Sequence, residues 1–511
     1  MHTFTISKSL FKAYQIHPKL AWWAIHDRPR YDWINTQLYG SMGGAESGAA
    51  VEEQVLQLYP DTPLTRIPVQ LAQTGGTIDL SQQAIRDKKP LIAQACLTDG
   101  ELLCVVDLLR LNQDGTYDLI EVKSKSSIRN STKAATLLDE LIADLSFQRY
   151  VARRVLGDAF SGRCYLNYVN KEYIREGAVD PRQLILEEDV SGELQEDDLI
   201  TSQLKTLQED IQRSEQDLHA RYPYNGEPYQ IYYGADPPVG SVWTIPGSVK
   251  KLSARIREGL VDILEMDEGD IRLLYKANGS ESTQSNYVRL FQDHEIYRNR
   301  VAIRQILDNL PRPFYFYDYE TISSPVPLLD GTRPNQQVVV QFSLHELPHV
   351  GGNTAHYEGI IGPGERTNRR VVEKLIHSTT GKEGTYIVWN KSFEMARNRE
   401  LMATYPEFAK ELERINANTF DLMEIFKHLH YFDRRFNGSF SIKAVLPVLT
   451  PITYENLDVQ KGDQAANLLA RIISGTIQPE DAPEIQRQLL EYCQQDTWAM
   501  VEIYRILASN L

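Results

Sequence analysis

Three runs between residues 90 and 124, PLIAQACL, LLCVVDLLRL and TYDLIEVKS, have the apolar composition and near-alternation of strands. The NQDG joining the last two has hairpin-turn chemistry. Flanking stretches repeat instead at the helical period: SKSLFKAYQIHPKLAWWAIHD, with Ser7 as N-cap, and GAAVEEQVLQLYPD ahead of the strands, and LLDELIADLSFQRYVARRVL behind them. With RCYLNYVN as a further strand, residues 1–180 read as one α/β unit.

The pattern changes over residues 181–305. EEDVSGELQEDD is acidic, ITSQLKTLQEDIQRSEQDLHARY is a polar helix, and YPYNGEPYQIYYGADPPVGS is turn-rich and aromatic, which predicts a partly helical connector. A second α/β unit, residues 306–511, opens at LPRPF. Its strands are FYFYDYETI, QVVVQFSLHEL and TYIVWN, and its helices lie around FEMARNRELMATY, FDLMEIFKHLH and APEIQRQLLEYCQQDTWAMVEIYRIL.

Polar residues on otherwise apolar faces mark the candidate chemistry. In FYFYDYETI, alternation puts Phe314, Phe316, Asp318 and Glu320 on one face. Two same-face carboxylates repel and are costly to bury without a cation or a shared proton; helix capping or pairing with Arg or Lys is the structural alternative. On the last helix, Ile485, Leu489, Tyr492, Asp496, Met500 and Ile503 form one stripe, which Asp496 interrupts. Between these anchors, Glu394 opens a helix just after Asn390, and Asp421 follows in TFDLMEIF. In the N-terminal unit Asp107 lies in one strand, and Glu121 and Lys123 share a face of the next. Basic residues Lys125, Arg129 and Lys133 come just after and could meet a phosphate backbone, a solvated loop being the alternative.

Composition narrows the class. A chain of 511 residues exceeds one hydrophobic core and points to two or three domains. No stretch approaches the roughly 20 apolar residues of a membrane span, and the first residues lack a signal-peptide core, so a cytoplasmic protein with no membrane contact is expected. The net charge of −15 counts against coating nucleic acid by bulk charge, but not against acids that hold divalent cations. Cys96, Cys104, Cys164 and Cys493 form no CxxC pair, which argues against a disulfide framework and against a zinc or iron-sulfur site. There is no Walker A sequence, so any unwinding would come from a partner helicase or ATPase.

Asp-x-Glu on a first strand, Asn-x-x-Phe followed by an acid, and Tyr-x-x-x-Asp on a late helix resemble the three motifs of DnaQ-like 3′-5′ exonucleases of RNase H-like fold, in the branch with a tyrosine in the third motif. The resemblance implies that Asp318, Glu320, Glu394 and Asp496 hold metal and that Tyr492 positions the attacking water. Glu394 departs from the family's usual Asp, and Asp421 is placed to compensate. Asp107, then Glu121-x-Lys123 across a hairpin, is similar to the cluster of PD-(D/E)XK nucleases. That likeness implies a metal on Asp107 and Glu121, with Lys123 orienting water, a further acid at Glu53 on the preceding helix, and a compressed form of the RecB-like QxxxY element in Gln148 and Tyr150. The first residues also resemble RecB-like nucleases of the CRISPR-associated kind, but His17 stands where those begin an iron-sulfur ligand set with Cys; no cluster is expected and His17 is read as structural.

Segments such as EVKS, QFSLHEL, SFSIKAVLP and YCQQDT look like a bacterial family that joins these two domains. The fold expected is therefore an N-terminal restriction-endonuclease-like domain, a mostly helical connector and a C-terminal RNase H-like domain. The expected function is a nuclease dependent on Mg²⁺ or Mn²⁺, one or two ions per site, acting on single- or double-stranded DNA in repair or defence. Two alternatives stand beside it: a nucleic-acid-binding or assembly subunit with one or both sites degenerate, and an RNA exonuclease. Oligomeric state is not legible.

Overall fold

The structure is a computed structural model that describes residues 4–39, 43–68, 75–130, 136–349 and 351–509. Its architecture is mixed α/β, with three sheets among the described residues and many flanking helices. No described helix is long and apolar enough to cross a membrane.

The N-terminal sheet contains β1 (Ile6–Ser7), β2 (Leu64–Arg66), β3 (Leu91–Thr98), β4 (Leu102–Leu111), β5 (Tyr117–Lys123), β6 (Phe160–Val169) and β7 (Ile185–Asp189). Their order is β2-β3-β4-β5-β6-β7, with β1 beside β4. The helices of this unit are α1 (Lys8–Ile16), α2 (Pro18–His26), α3 (Arg28–Tyr39), α4 (Gly43–Leu56), α5 (Gly75–Arg86) and α6 (Asp139–Leu156). β3, β4 and β5 form an antiparallel meander, while β6 runs parallel to β5. A parallel return needs a crossover, and α6 supplies it. Phe11 of α1 stacks on Phe147 of α6 at 4.9 Å, tying the first helix to the crossover.

The predicted first helix is two helices. Pro18 lacks an N–H and disfavours helical backbone at the residue before it, so His17 is extended, with φ −162° and ψ 134°. Ser7 caps α1, and the His17 ring accepts the Lys19 N–H at 3.2 Å to cap α2, with Pro18 in its first turn. The structural reading of His17 thus has a definite role.

The N-terminal unit also extends beyond residue 180. β7 pairs with β6, and the helix Asp197–Ile211 buries Ile200, Leu204 and Leu207 in the core formed by α2 and α6. The shorter helices that follow enclose their own core around Tyr224, Val242, Leu252, Ile263 and Tyr287, into which Leu429 and Phe432 insert.

β8 (Ile296–Arg298) leads into a second sheet of β9 (Phe314–Ile322), β10 (Val338–Leu347), β11 (Ala355–Ile360), β12 (Thr385–Val388) and β13 (Thr419–Asp421); β14 (Tyr431–Asp433) returns to pair with β8. The order is β11-β10-β9-β12-β13: β9, β10 and β11 are an antiparallel meander, and β12 and β13 add in parallel. On β9 the Phe314 and Phe316 face meets Tyr504 of the C-terminal helix, Ala482–Ser509, with ring centroids 5.0 and 5.8 Å away. The tyrosine face packs inward: Tyr315 stacks on Tyr386 at 4.9 Å, and the Tyr319 hydroxyl donates to Asn398 at 2.7 Å.

Candidate metal centres

The alternation of β9 carries Asp318 and Glu320 to the face covered by the C-terminal helix, which presents Tyr492, Cys493 and Asp496 back toward the strand. Oxygens of Asp318 and Glu320 and the Cys493 sulfur lie within 4.8 Å of one another. Glu394, in the first turn of the helix Lys391–Thr404, comes within hydrogen-bond reach of Asp318, which two carboxyls allow only by sharing a proton. Glu394 is 3 % exposed, and its Oε2 is buried without a donor.

Burial is the largest influence on every acid here. It pushes Asp318 well up, reinforced by Asp496 and Glu394, and raises Glu320 to about 8 with Asp496 adding to the effect. Glu394 is raised to about 7 and Asp496 to about 6, the latter restrained by a hydrogen bond from Tyr454, whose hydroxyl donates to Asp496 Oδ1 at 2.5 Å. Burial and then Asp318 also push the Cys493 thiol well up, so it stays protonated and is a poor ligand beside the carboxylates.

Lys443 supplies partial compensation. Its ammonium donates to the Tyr492 hydroxyl at 3.1 Å and to the Gln460 carbonyl at 2.7 Å, and it lies 5.1 Å from the centroids of both Tyr454 and Tyr492. The sequence reading missed Lys443, Tyr454 and Cys493, which reach the centre from distant segments.

Asp421 does not take the ligand position predicted for it. Its two oxygens accept the Lys391 and Met423 N–H groups, both at 3.0 Å. Asn390 makes no side-chain cap, so Asp421, at the end of β13, caps the helix that carries Glu394.

The N-terminal centre has a different electrostatic character. Glu121, 2 % exposed, accepts from Lys8 at 3.4 Å, Lys123 at 2.5 Å and Gln148 at 2.7 Å. Asp144, one turn before Gln148 on α6, accepts from Lys123 at 2.9 Å, Lys12 at 3.3 Å and Gln148 at 3.0 Å. Burial works against their ionisation. Even so, Lys8 and then Lys123 hold Glu121 below its ordinary range, and Lys123 and then Lys8 do the same for Asp144. Asp107 is the exception: burial, then Glu121, raises it to about 8, although one oxygen accepts the Val122 N–H at 2.8 Å.

Of the other residues predicted for this centre, Glu53 is exposed and pairs with Arg66 at 2.6 Å. The acid on α4 that turns inward is Glu52, which accepts from Gln94 at 2.9 Å and interacts with Glu121 and Lys8. Gln94 stands across β3–β4 from Asp107 with φ +59°, a left-handed conformation that costs a non-glycine residue on the order of 1–3 kcal/mol. Tyr150 points away, its hydroxyl 3.0 Å from Thr201. Lys125 forms an exposed ion pair with Glu140, and Arg129 pairs with Glu188 and Glu193. Lys133 lies outside the described residues. All four cysteines are buried free thiols.

Among known proteins, residues 315–441 match the family model described as "Domain of unknown function (DUF2779)". That segment includes Asp318, Glu320, Glu394 and Asp421 and ends before Tyr492 and Asp496. The chain is 29% identical over 269 residues to the "Uncharacterized protein MG366 homolog" of Mycoplasma pneumoniae, covering 47% of this chain and 39% of the relative. It is 25% identical over 250 residues to "Uncharacterized protein MG366" of Mycoplasma genitalium, covering 45% and 37%. The match thus spans under two fifths of either relative's length. No solved structure matches.

Proposed function

We propose that the chain is a metal-dependent phosphodiester hydrolase acting on nucleic acid, DNA foremost, with a 3′-5′ exonuclease at the C-terminal centre and a second nuclease centre in the N-terminal unit. The observation that carries this reading is the convergence of the half-buried Asp318 with the buried Glu320, Glu394 and Asp496, four acids compensated only in part by Lys443 and Arg397. The donorless oxygen of Glu394 fits the same need. An all-oxygen acid set suits Mg²⁺ or Mn²⁺ better than Zn²⁺. Bound there, two such ions would supply an activated water and charge stabilisation at the leaving oxygen.

The chain's own residues do the positioning. Tyr492 accepts a hydrogen bond from Lys443 and lies within hydrogen-bond reach of Asp496, which holds its hydroxyl at the acids, where it would orient a water. Tyr454 fixes Asp496, and Asp421 fixes the helix that carries Glu394. The β11-β10-β9-β12-β13 order supports an RNase H-like reading of the C-terminal unit; the β3–β4–β5 meander with β6 returning through α6 supports a PD-(D/E)XK reading of the N-terminal one.

One observation favours a second reading for the N-terminal centre alone. Lys8, Lys12 and Lys123 already neutralise Glu121 and Asp144, so a cation must displace an ammonium to bind. A centre that keeps its lysines binds a strand without cutting it.

End-labelled single- and double-stranded DNA and RNA, incubated with Mn²⁺ or EDTA and with wild type, Asp107→Ala or Asp318→Ala, test both readings. Shortening from the 3′ end that is lost in Asp318→Ala is expected. Cleavage lost in Asp107→Ala assigns activity to the N-terminal centre, and cleavage that persists in the double variant overturns the proposal.

A further inference from the structure

A cavity of about 880 Å³ lies between the two units. One wall is Ala49 and Ala50 of α4 with Ser124, the residue after Lys123. The facing wall is the segment Ser323–Pro325 that follows β9, together with one side of the helix Gly462–Ser474, where Ala466, Ala470 and Arg471 recur at helical spacing. That helix starts at the C-terminal centre: a β-carbon added to Gly462 would stand 3.9 Å from the Tyr492 hydroxyl. The cavity therefore runs from the end of β5, which carries Glu121 and Lys123, to the end of β9, which carries Asp318 and Glu320.

The walls are held in place. Asn335, in the loop after β9, donates to the Ser124 carbonyl at 3.1 Å. Arg175 donates to the carbonyls of Pro327 and Leu328 at 2.7 and 2.9 Å, and the Gly331 N–H reaches back to the Arg175 carbonyl at 2.8 Å. Val326 is buried in the N-terminal core. A pocket of this size encloses a drug-sized ligand, hence a short run of unpaired nucleotides and not a duplex. The small side chains leave the backbone room, and Arg471 offers a cation to a phosphate.

We propose that this cleft seats one unpaired nucleic-acid strand and joins the two centres along a single track, an inference that rests on the nuclease reading above. Filling the cleft should exclude the strand. The probes are fluorescein-labelled oligothymidylate and oligouridylate, followed by anisotropy in Ca²⁺, with wild type, Ala470→Trp, Ala49→Trp and, as a control on the connector, the exposed Val239→Trp. Thermal melts select the variants that remain folded. At least tenfold weaker binding in either cleft variant, with Val239→Trp unchanged, is expected for the polymer that the cleft accepts. Wild-type affinity in the folded cleft variants overturns the proposal, as does no binding of either polymer by the wild type. The hydrolytic reading is scored separately by wild-type cleavage of the p-nitrophenyl ester of thymidine 5′-monophosphate in Mn²⁺, so the failure of one is distinguishable from the failure of the other.

Discussion

Glu320 shows how the candidate chemistry is written into single residues. Burial raises its folded-state pKa from the ordinary 4.5 to about 8, so between those values the folded chain holds a proton that the unfolded chain releases. Stability from this group therefore falls as pH rises through that window. Glu320→Gln removes the conflict and should stabilise the protein by on the order of 2 kcal/mol at pH 7, since one pKa unit is worth about 1.4 kcal/mol. Thermal unfolding in EDTA should show the variant melting higher at pH 7 and the gap closing toward pH 4.5; an unchanged or lower midpoint at pH 7 contradicts the buried-acid account. Asp318, Glu320 and Asp496 were legible in the sequence because each breaks an apolar face whose period is unambiguous. Lys443 and Tyr454 were not, because nothing local ties a lysine after Ser441 or a tyrosine in a loop to an acid on the last helix. Glu52 and Glu53 mark the limit of helical phase reading: neighbours on a helix differ by about 100°, so choosing the wrong one of an adjacent pair turns the side chain away from the site.

At the scale of elements, the aim of the C-terminal helix matters most. Thr497, next to Asp496, has its hydroxyl 2.7 Å from Ser343 and 2.8 Å from His345 on β10, while Gln341 donates to the Leu489 carbonyl at 2.8 Å. These buried polar contacts set the rotation that turns Asp496 toward Asp318. Thr497→Val leaves the hydroxyl and ring short of a partner and should cost about 1–3 kcal/mol. It should also weaken Mn²⁺ binding several-fold, although Thr497 is no ligand. Unfolding and Mn²⁺ titration check both effects, and a destabilised variant with wild-type Mn²⁺ affinity would make the network structural only. The buried polar alternation Gln341, Ser343, His345 was visible in QFSLHEL, but its meaning was not, because the helix it grips lies about 150 residues away. Similarly, Lys8 and Lys12 on α1, and Asp144 and Gln148 on α6, each recur at i and i+4; the sequence shows the spacing and not that the two helices face each other.

For the whole molecule, the mixed α/β architecture with more than one sheet was readable from composition and pattern, whereas the pairing of β7 with the first sheet and the packing of the helix Asp197–Ile211 were not, because both segments look polar until their buried faces are placed. The two centres differ in charge balance: the N-terminal acids are met by three lysines, the C-terminal acids mostly by one another. This asymmetry predicts that the C-terminal centre takes divalent cations first. The most direct test is a titration of the metal-free protein with Mn²⁺ followed by electron paramagnetic resonance, using wild type, Asp318→Asn and Glu121→Gln. Saturable binding that is lost in Asp318→Asn and kept in Glu121→Gln is the predicted result. No saturable binding, or binding indifferent to Asp318→Asn, would contradict the claim that these four acids form a metal centre.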